Sequence, residues 1–225
     1  MIDNIKFFVT NKDEFEQNVC KKANIDFKAS HSIITGEILE YPKKGKFHNI
    51  DVVITPNGAY LNGSLHKLYN CIETGEEHNY NDFYYCDLID VLDVLQAKLG
   101  IDPKQTKITN LEFGFNILVD KDAKDIIDKN VLLYNYESHS KNLKYGGEGD
   151  YKEFELTDYN IKIYNKAKQY SQKEYILRVE VKIKMKRILE RVGIFNLNDL
   201  TNKENLISLY DFFIDKIKKL QIIDE

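Results

Sequence analysis

Two stretches of the chain place charged and hydroxyl side chains at every second residue. In residues 159–166, Lys162, Tyr164 and Lys166 alternate with Ile161 and Ile163; in residues 176–185, Arg178, Glu180, Lys182 and Lys184 alternate with Leu177, Val179, Val181 and Ile183. Period-2 alternation puts the first group of each on one face of a strand and the apolar group on the other. Two further segments read the same way. In residues 106–119 the apolar Leu111, Phe113, Phe115, Ile117 and Val119 leave Asn110, Glu112, Gly114 and Asn116 opposite, and in residues 59–67 Leu61 and Leu65 leave Asn62, Ser64 and His66 opposite. If the four strands share a sheet, its polar front gathers Glu112, Glu180, His66, Tyr164, Arg178 and several lysines. Carboxylates and an imidazole suit a divalent cation, and lysine, arginine and tyrosine suit phosphate. An antiparallel sheet also commonly turns a charged face to water, which accounts for any one of these strands alone. Gly114 argues for more, because a mid-strand glycine marks a place where something approaches closely.

The composition bounds the class. The chain has 225 residues, 43% hydrophobic and 30% charged, the make-up of an ordinary globular protein of one sizeable domain. Its net charge is −4, yet residues 162–191 hold ten Lys or Arg against three Glu. A basic island in an acidic chain points to one phosphate-facing surface, although a charge run alone is usually a solvated face. The start lacks the basic and apolar blocks of a signal peptide, and no apolar run approaches a membrane span. Cys20, Cys71 and Cys86 are odd in number and lack CxxC spacing. That argues against a disulfide framework or a Cys-rich zinc site, and the expected compartment is a reducing cytoplasm with no membrane partner.

The elements that must position these residues are strands at 5–10, 32–41, 48–55 and 59–67, the last two joined at Asn57-Gly58. A helix follows at 82–99, with Leu88, Leu92, Leu95 and Leu99 at helical spacing and Gly100 after its end. Then come the strand at 106–119, a short helix at 120–134, a loop with Gly146, Gly147 and Gly149, strands at 151–156, 159–165 and 176–185, a helix at 185–192 and an amphipathic helix at 202–220. This order predicts an α+β fold: a mainly antiparallel sheet, helices on one face, and a polar, catalytic other face. The expected division is a domain over residues 1–200 and a C-terminal helical segment over 201–225, the start of an extension.

The segments GSLHKLYN (63–70), ITNLEFGFNI (108–117), YNIKIYNKAKQY (159–170), ILRVEVKIKMKRI (176–188) and GIFNLNDL (193–200) together resemble the phage and plasmid replication initiators of the gene II/gene X type. The resemblance runs from about residue 50 to residue 200. Members of that family nick one DNA strand at an origin to start rolling-circle replication. The resemblance implies Tyr164 as the nucleophile and Glu112 and Glu180 as acidic residues of the site. Two departures stand out. The family segment reads KIYDKGKQY, whereas this chain has Asn165 and Ala167 at the Asp and Gly positions. There is also no His-apolar-His pair.

What that reaction would need can be assigned to residues. Tyr164 attacks a backbone phosphate and leaves a phosphotyrosine and a free 3′-hydroxyl. Lys162, Lys166 and Lys168 favour the phenolate. Mg²⁺ or Mn²⁺ on Glu112 and Glu180, with His66 as third ligand or base, polarises the phosphate. Arg178, Lys182, Lys184, Lys186, Arg187 and Asn116 are the expected DNA contacts. The partners would be single-stranded or supercoiled origin DNA and a host helicase and polymerase, in a bacterial cytoplasm. A second reading keeps the fold and the sequence-specific DNA binding without turnover. An RNA-stacking sheet is a third, weaker for want of front-face aromatics beyond Tyr164 and Tyr60.

Overall fold

In a computed structural model that describes residues 1–22, 25–128, 131–135, 137–139 and 150–223, the chain is organised by one nine-stranded, wholly antiparallel sheet. Strand β1 (Ile2–Val9) leads into helix α1 (Lys12–Lys22). Strands β2 (Lys28–His31), β3 (Ile38–Phe47), β4 (Ile50–Thr55) and β5 (Gly58–Ser64) follow, then helices α2 (Leu65–Thr74) and α3 (Tyr85–Leu99). Next come β6 (Thr106–Leu118), α4 (Ala123–Asp128), β7 (Val131–Tyr134), β8 (Glu137–Ser138), β9 (Tyr151–Glu155), β10 (Tyr159–Asn165), the single turn α5 (Lys166–Gln169) and β11 (Ile176–Ile183). Helices α6 (Lys186–Arg191) and α7 (Lys203–Ile217) and strand β12 (Leu220–Ile223) complete it. The spatial order is β2-β3-β4-β5-β1-β6-β11-β10-β9, with β12-β7-β8 as a small second sheet. The expected α+β class is the observed one.

Alternation builds the core as anticipated. Ile5, Phe7, Val9, Val52, Ile54, Leu61, Ile108, Leu111, Val181 and Ile183 are buried on the back of the sheet, with Phe15 and Val19 of α1 and Leu88, Leu92, Leu95 and Leu99 of α3 in the same apolar cluster. Helix α7 contributes Leu209 and Phe213 to that cluster, and Phe213 stacks edge-on against Phe113 and Phe115. The last helix is thus built into the sheet's own core.

Three expectations are corrected. The stretch 32–41 is not one strand: Ser32 to Gly36 turns between β2 and β3. The strand expected at 59–67 stops at Ser64, whose Oγ accepts from Lys67 N at 3.1 Å and caps α2. The reach of the helix within 120–134 is shorter, because 131–134 pairs with β12. The polar face is also not left wholly open. Residues 75–84 cross part of it, where Asn116 donates to the Tyr80 carbonyl at 2.9 Å. The expected Gly146–Gly149 loop lies outside the described residues. Among those described, no helix is long and apolar enough to cross a membrane.

Candidate functional site

The register of the three strands β6, β11 and β10 lines up the polar side chains in rows. Tyr164 pairs with Arg178 and Arg178 with Asn116; Lys162 pairs with Glu180 and Glu180 with Gly114; Asn160 pairs with Lys182 and Lys182 with Glu112. Gly114 explains its own place in the strand. A Cβ there would lie 2.4 Å from the Val179 carbonyl oxygen and 2.7 Å from Cγ of Glu180. The close approach is therefore made by β11, and it lets the Glu180 side chain lie across β6.

Arg178 is at the centre, 0% exposed. Its Nε donates to Glu180 Oε1 at 2.8 Å, one terminal nitrogen to Asn116 Oδ1 at 2.9 Å, and the other to Asp3 Oδ2 at 2.9 Å. Asp3 also accepts from Asn79 Nδ2 at 2.7 Å and from the Ser64 hydroxyl. Burial would raise its carboxyl, but Arg178, Lys166 and these hydrogen bonds outweigh it and hold Asp3 down to about 2. Tyr164 Oη donates to the same Glu180 Oε1 at 3.0 Å and accepts from Lys166 Nζ at 3.3 Å. Lys162 Nζ lies 3.0 Å from Glu112 Oε1 and 3.8 Å from Glu180 Oε2, and Lys182 Nζ 3.0 Å from Glu112 Oε1.

These ionisations follow from burial first. Burial and the neighbouring Glu180 charge push the Tyr164 phenol well above its usual range, so it rests protonated. The expectation that nearby lysines favour the phenolate is corrected for this state. Lys166, also buried and beside Arg178, is lowered to about 8. Lys162 is half-buried, which would lower it, but Glu112 and Glu180 raise it and keep it charged. Glu180 is pushed up by burial against the pull of Arg178.

Tyr164, Lys162, Lys166, Glu112 and Glu180 line one cavity of about 1160 Å³, together with Asp3, Ser64, Asn79, Asp150, Asn165 and Lys168. The sequence alone brings together the first five and Lys168. It missed Asp3, because β1 carries a bulge: Ile2 pairs with Phe113 and Ile5 with Leu111, three steps on one strand against two on the other. A bulge re-aims side chains, so the alternation set by Ile5, Phe7 and Val9 fails at Asp3. It also missed Asp150, whose carboxylate takes the Asn165 amide at 3.1 Å while the same amide reaches Asp122 at 2.9 Å.

Other expected residues lie elsewhere. His66 is buried on α2, not on the sheet. Its Nε2 pairs with Asn81 Oδ1 at 2.8 Å, its ring stacks on Phe83, and burial lowers it to about 4. Arg178 is wholly buried with its polar groups engaged, which removes it as a direct DNA contact, while half-buried Asn116 gives its amide to the Tyr80 carbonyl and its Oδ1 to Arg178. Lys186 and Arg187 are exposed on α6 and pair with Glu190 and Asp158, and Lys184 sits past the end of β11. Among the described residues no three His, Cys, Asp or Glu side chains come together to hold a metal. With His66 away and the Lys162 ammonium between the two carboxylates, Glu112 and Glu180 as placed do not fit Mg²⁺ or Mn²⁺.

Fold and site together define an antiparallel α+β protein in which a tyrosine, carboxylates and several lysines line an open cavity beside a buried arginine. No family model matches the chain, and no curated protein matches it. Among solved structures, a rolling circle replication initiator protein from Geobacillus stearothermophilus is similar at 13% identity over 89% of this chain and 78% of that one, with a TM-score of 0.46. A likeness so distant assigns no residue or activity here.

Proposed function

We propose that this protein is a replication initiator that nicks one strand of DNA at an origin, with Tyr164 as the nucleophile. One observation carries the reading: Tyr164 Oη lies in a cavity with a carboxylate acceptor at 3.0 Å and a lysine donor at 3.3 Å. The segment resemblance around KIYNK agrees with it. A phosphodiester entering the cavity would meet Lys162 and Lys166, whose charge stabilises the negative phosphoryl transition state. The tyrosine oxygen bonds to phosphorus as its proton passes to Glu180, a carboxylate made more basic by burial. The bond from phosphorus to the 3′-oxygen breaks, and that oxygen takes a proton from Lys166. The products are a 5′-phosphotyrosine and a free 3′-hydroxyl. Arg178 would not touch DNA; it fixes Glu180 against the phenol.

The test is incubation with a single-stranded origin oligonucleotide, with Mg²⁺ or Mn²⁺ and with EDTA. A covalent adduct mapped to Tyr164 by mass spectrometry, and absent from Tyr164→Phe, is the expected result. An adduct that survives in the variant would overturn the assignment.

Asn165 favours a second reading, DNA binding without turnover. Its amide bridges Asp122 and Asp150, where an aspartate would bring three carboxylates together. Tight origin binding with no adduct under any of these conditions would select it.

A further inference from the structure

The cavity occupies only part of the polar face. Beyond it, β2, β3, β4, β5, β1 and β6 continue the same sheet, and their register draws one row across all six: Lys28, Lys44, Val53, Tyr60, Phe8 and Lys107. The neighbouring row is Lys46, Asp51, Asn62, Lys6 and Asn110. Asp51 and Asn62 of this second row already line the cavity, so the surface is continuous with it. Lys6, Lys28, Lys44, Lys46 and Lys107 are exposed. Lys46 pairs with Asp51 at 3.3 Å, whereas Lys6, Lys44 and Lys107 make no ion pair among the described residues.

Two aromatic rings sit in the middle of these lysines. Tyr60, 36% exposed, packs edge-on against half-buried Phe8, with ring centroids 5.1 Å apart. The Phe8 ring lies directly on Gly58, where a Cβ would come within 2.2 Å of it. The missing side chain leaves the ring room against the backbone of β5. An aromatic pair with one ring exposed and the other half-buried, set among exposed lysines, offers what a single-stranded polynucleotide needs: a surface for its bases and cations for its phosphates. With strands about 4.8 Å apart, the six-strand row spans roughly 24 Å, enough for several nucleotides.

We propose that this open half of the polar face binds single-stranded DNA, stacking bases on Tyr60 and Phe8 and leading the strand into the Tyr164 cavity. The choice of DNA rests on the proposed function; the choice of a single strand rests on the aromatic pair, since duplex bases offer no exposed ring face to it. Neither ring belongs to the reacting cluster, so binding and chemistry separate cleanly.

The test is fluorescence anisotropy with a labelled oligothymidylate of about 12 nucleotides, on the full chain, with thermal melts to show that variants are folded. Tyr60→Ala is expected to weaken binding about tenfold, while Tyr60→Phe retains it. Replacing Lys6 and Lys107 together by Gln should lower the slope of log affinity on log salt by about 1 to 2. Unchanged affinity in Tyr60→Ala, or an unchanged salt slope in the lysine double variant, would overturn the proposal. So would tighter, Tyr60-dependent binding of oligouridylate or of polyglutamate than of oligothymidylate. The two readings fail separately. Tyr60-dependent DNA binding by a protein that forms no Tyr164 adduct sinks the nicking reaction and leaves this surface standing; an adduct whose formation ignores Tyr60 at limiting DNA does the reverse.

Discussion

Asp3 and Asn165 show how much of this site depends on single side chains that do not themselves react. Asp3 is a buried carboxylate held at about 2 against an ordinary 3.8. A depressed carboxyl stabilises the fold wherever the unfolded group would be ionised, and that contribution disappears as pH falls from about 4 to about 2. The shift corresponds to about 2 kcal/mol. Asp3→Asn, which also leaves Arg178 short of a counter-charge, is expected to cost about 3 kcal/mol at neutral pH and to flatten this acid-side loss; urea titrations at several pH values measure both. Asn165→Asp would set a third carboxylate against Asp122 and Asp150. It is expected to lower stability by about 1–3 kcal/mol in EDTA and to show a larger Mn²⁺-dependent rise in Tm than the parent protein. An equal response of the two proteins would count against the bridging role of the amide. At this scale the sequence was readable where alternation is unbroken, as for Lys162, Tyr164 and Glu180. It was silent on Asp3, where a bulge turns the strand, and on Asp150, which follows a stretch with no periodicity.

At the scale of elements, the strand pair β10–β11 and its neighbour β6 carry the site, and their alternation was plain in the residues. The boundary between β5 and α2 was not. Leu61, Gly63 and Leu65 prolong a period of two, while Leu65, Leu68 and Ile72 begin a helical spacing over the same residues. The cap at Ser64 decides between them, and it takes His66 off the sheet with it. Gly114 is the element-scale test. Gly114→Ala would force β6 and β11 apart at a backbone contact, with an expected cost of about 2–3 kcal/mol, at the upper end for overpacking. Because Glu180 lies over that glycine, adduct formation in the reaction proposed above should also fall more than the loss of folded protein explains. An alanine variant with parental stability and activity would show that the close approach has slack.

Across the whole molecule, the last helix shares the sheet's core, and its apolar spacing alone does not tell which residues it meets. Phe213 stands against Phe113 and Phe115 on the back of the strand whose front carries Glu112 and Gly114. Phe213→Ala is expected to cost about 3–4 kcal/mol and to move the whole unfolding transition together. A separate early transition of the C-terminal residues in hydrogen exchange would show instead that they form their own unit.

Strand β1 lies between β5 and β6, and the bond from Asp3 to Arg178 joins residues 175 positions apart. On a ribosome the first strand emerges early but cannot be closed on both sides until β6 follows, and its carboxylate waits longer still for its arginine. The reactive cluster therefore cannot assemble on a nascent chain that stops short of β11. A prematurely terminated product would carry β1 without the arginine that its Asp3 carboxylate meets, so the cavity around Tyr164 would lack its buried charge network.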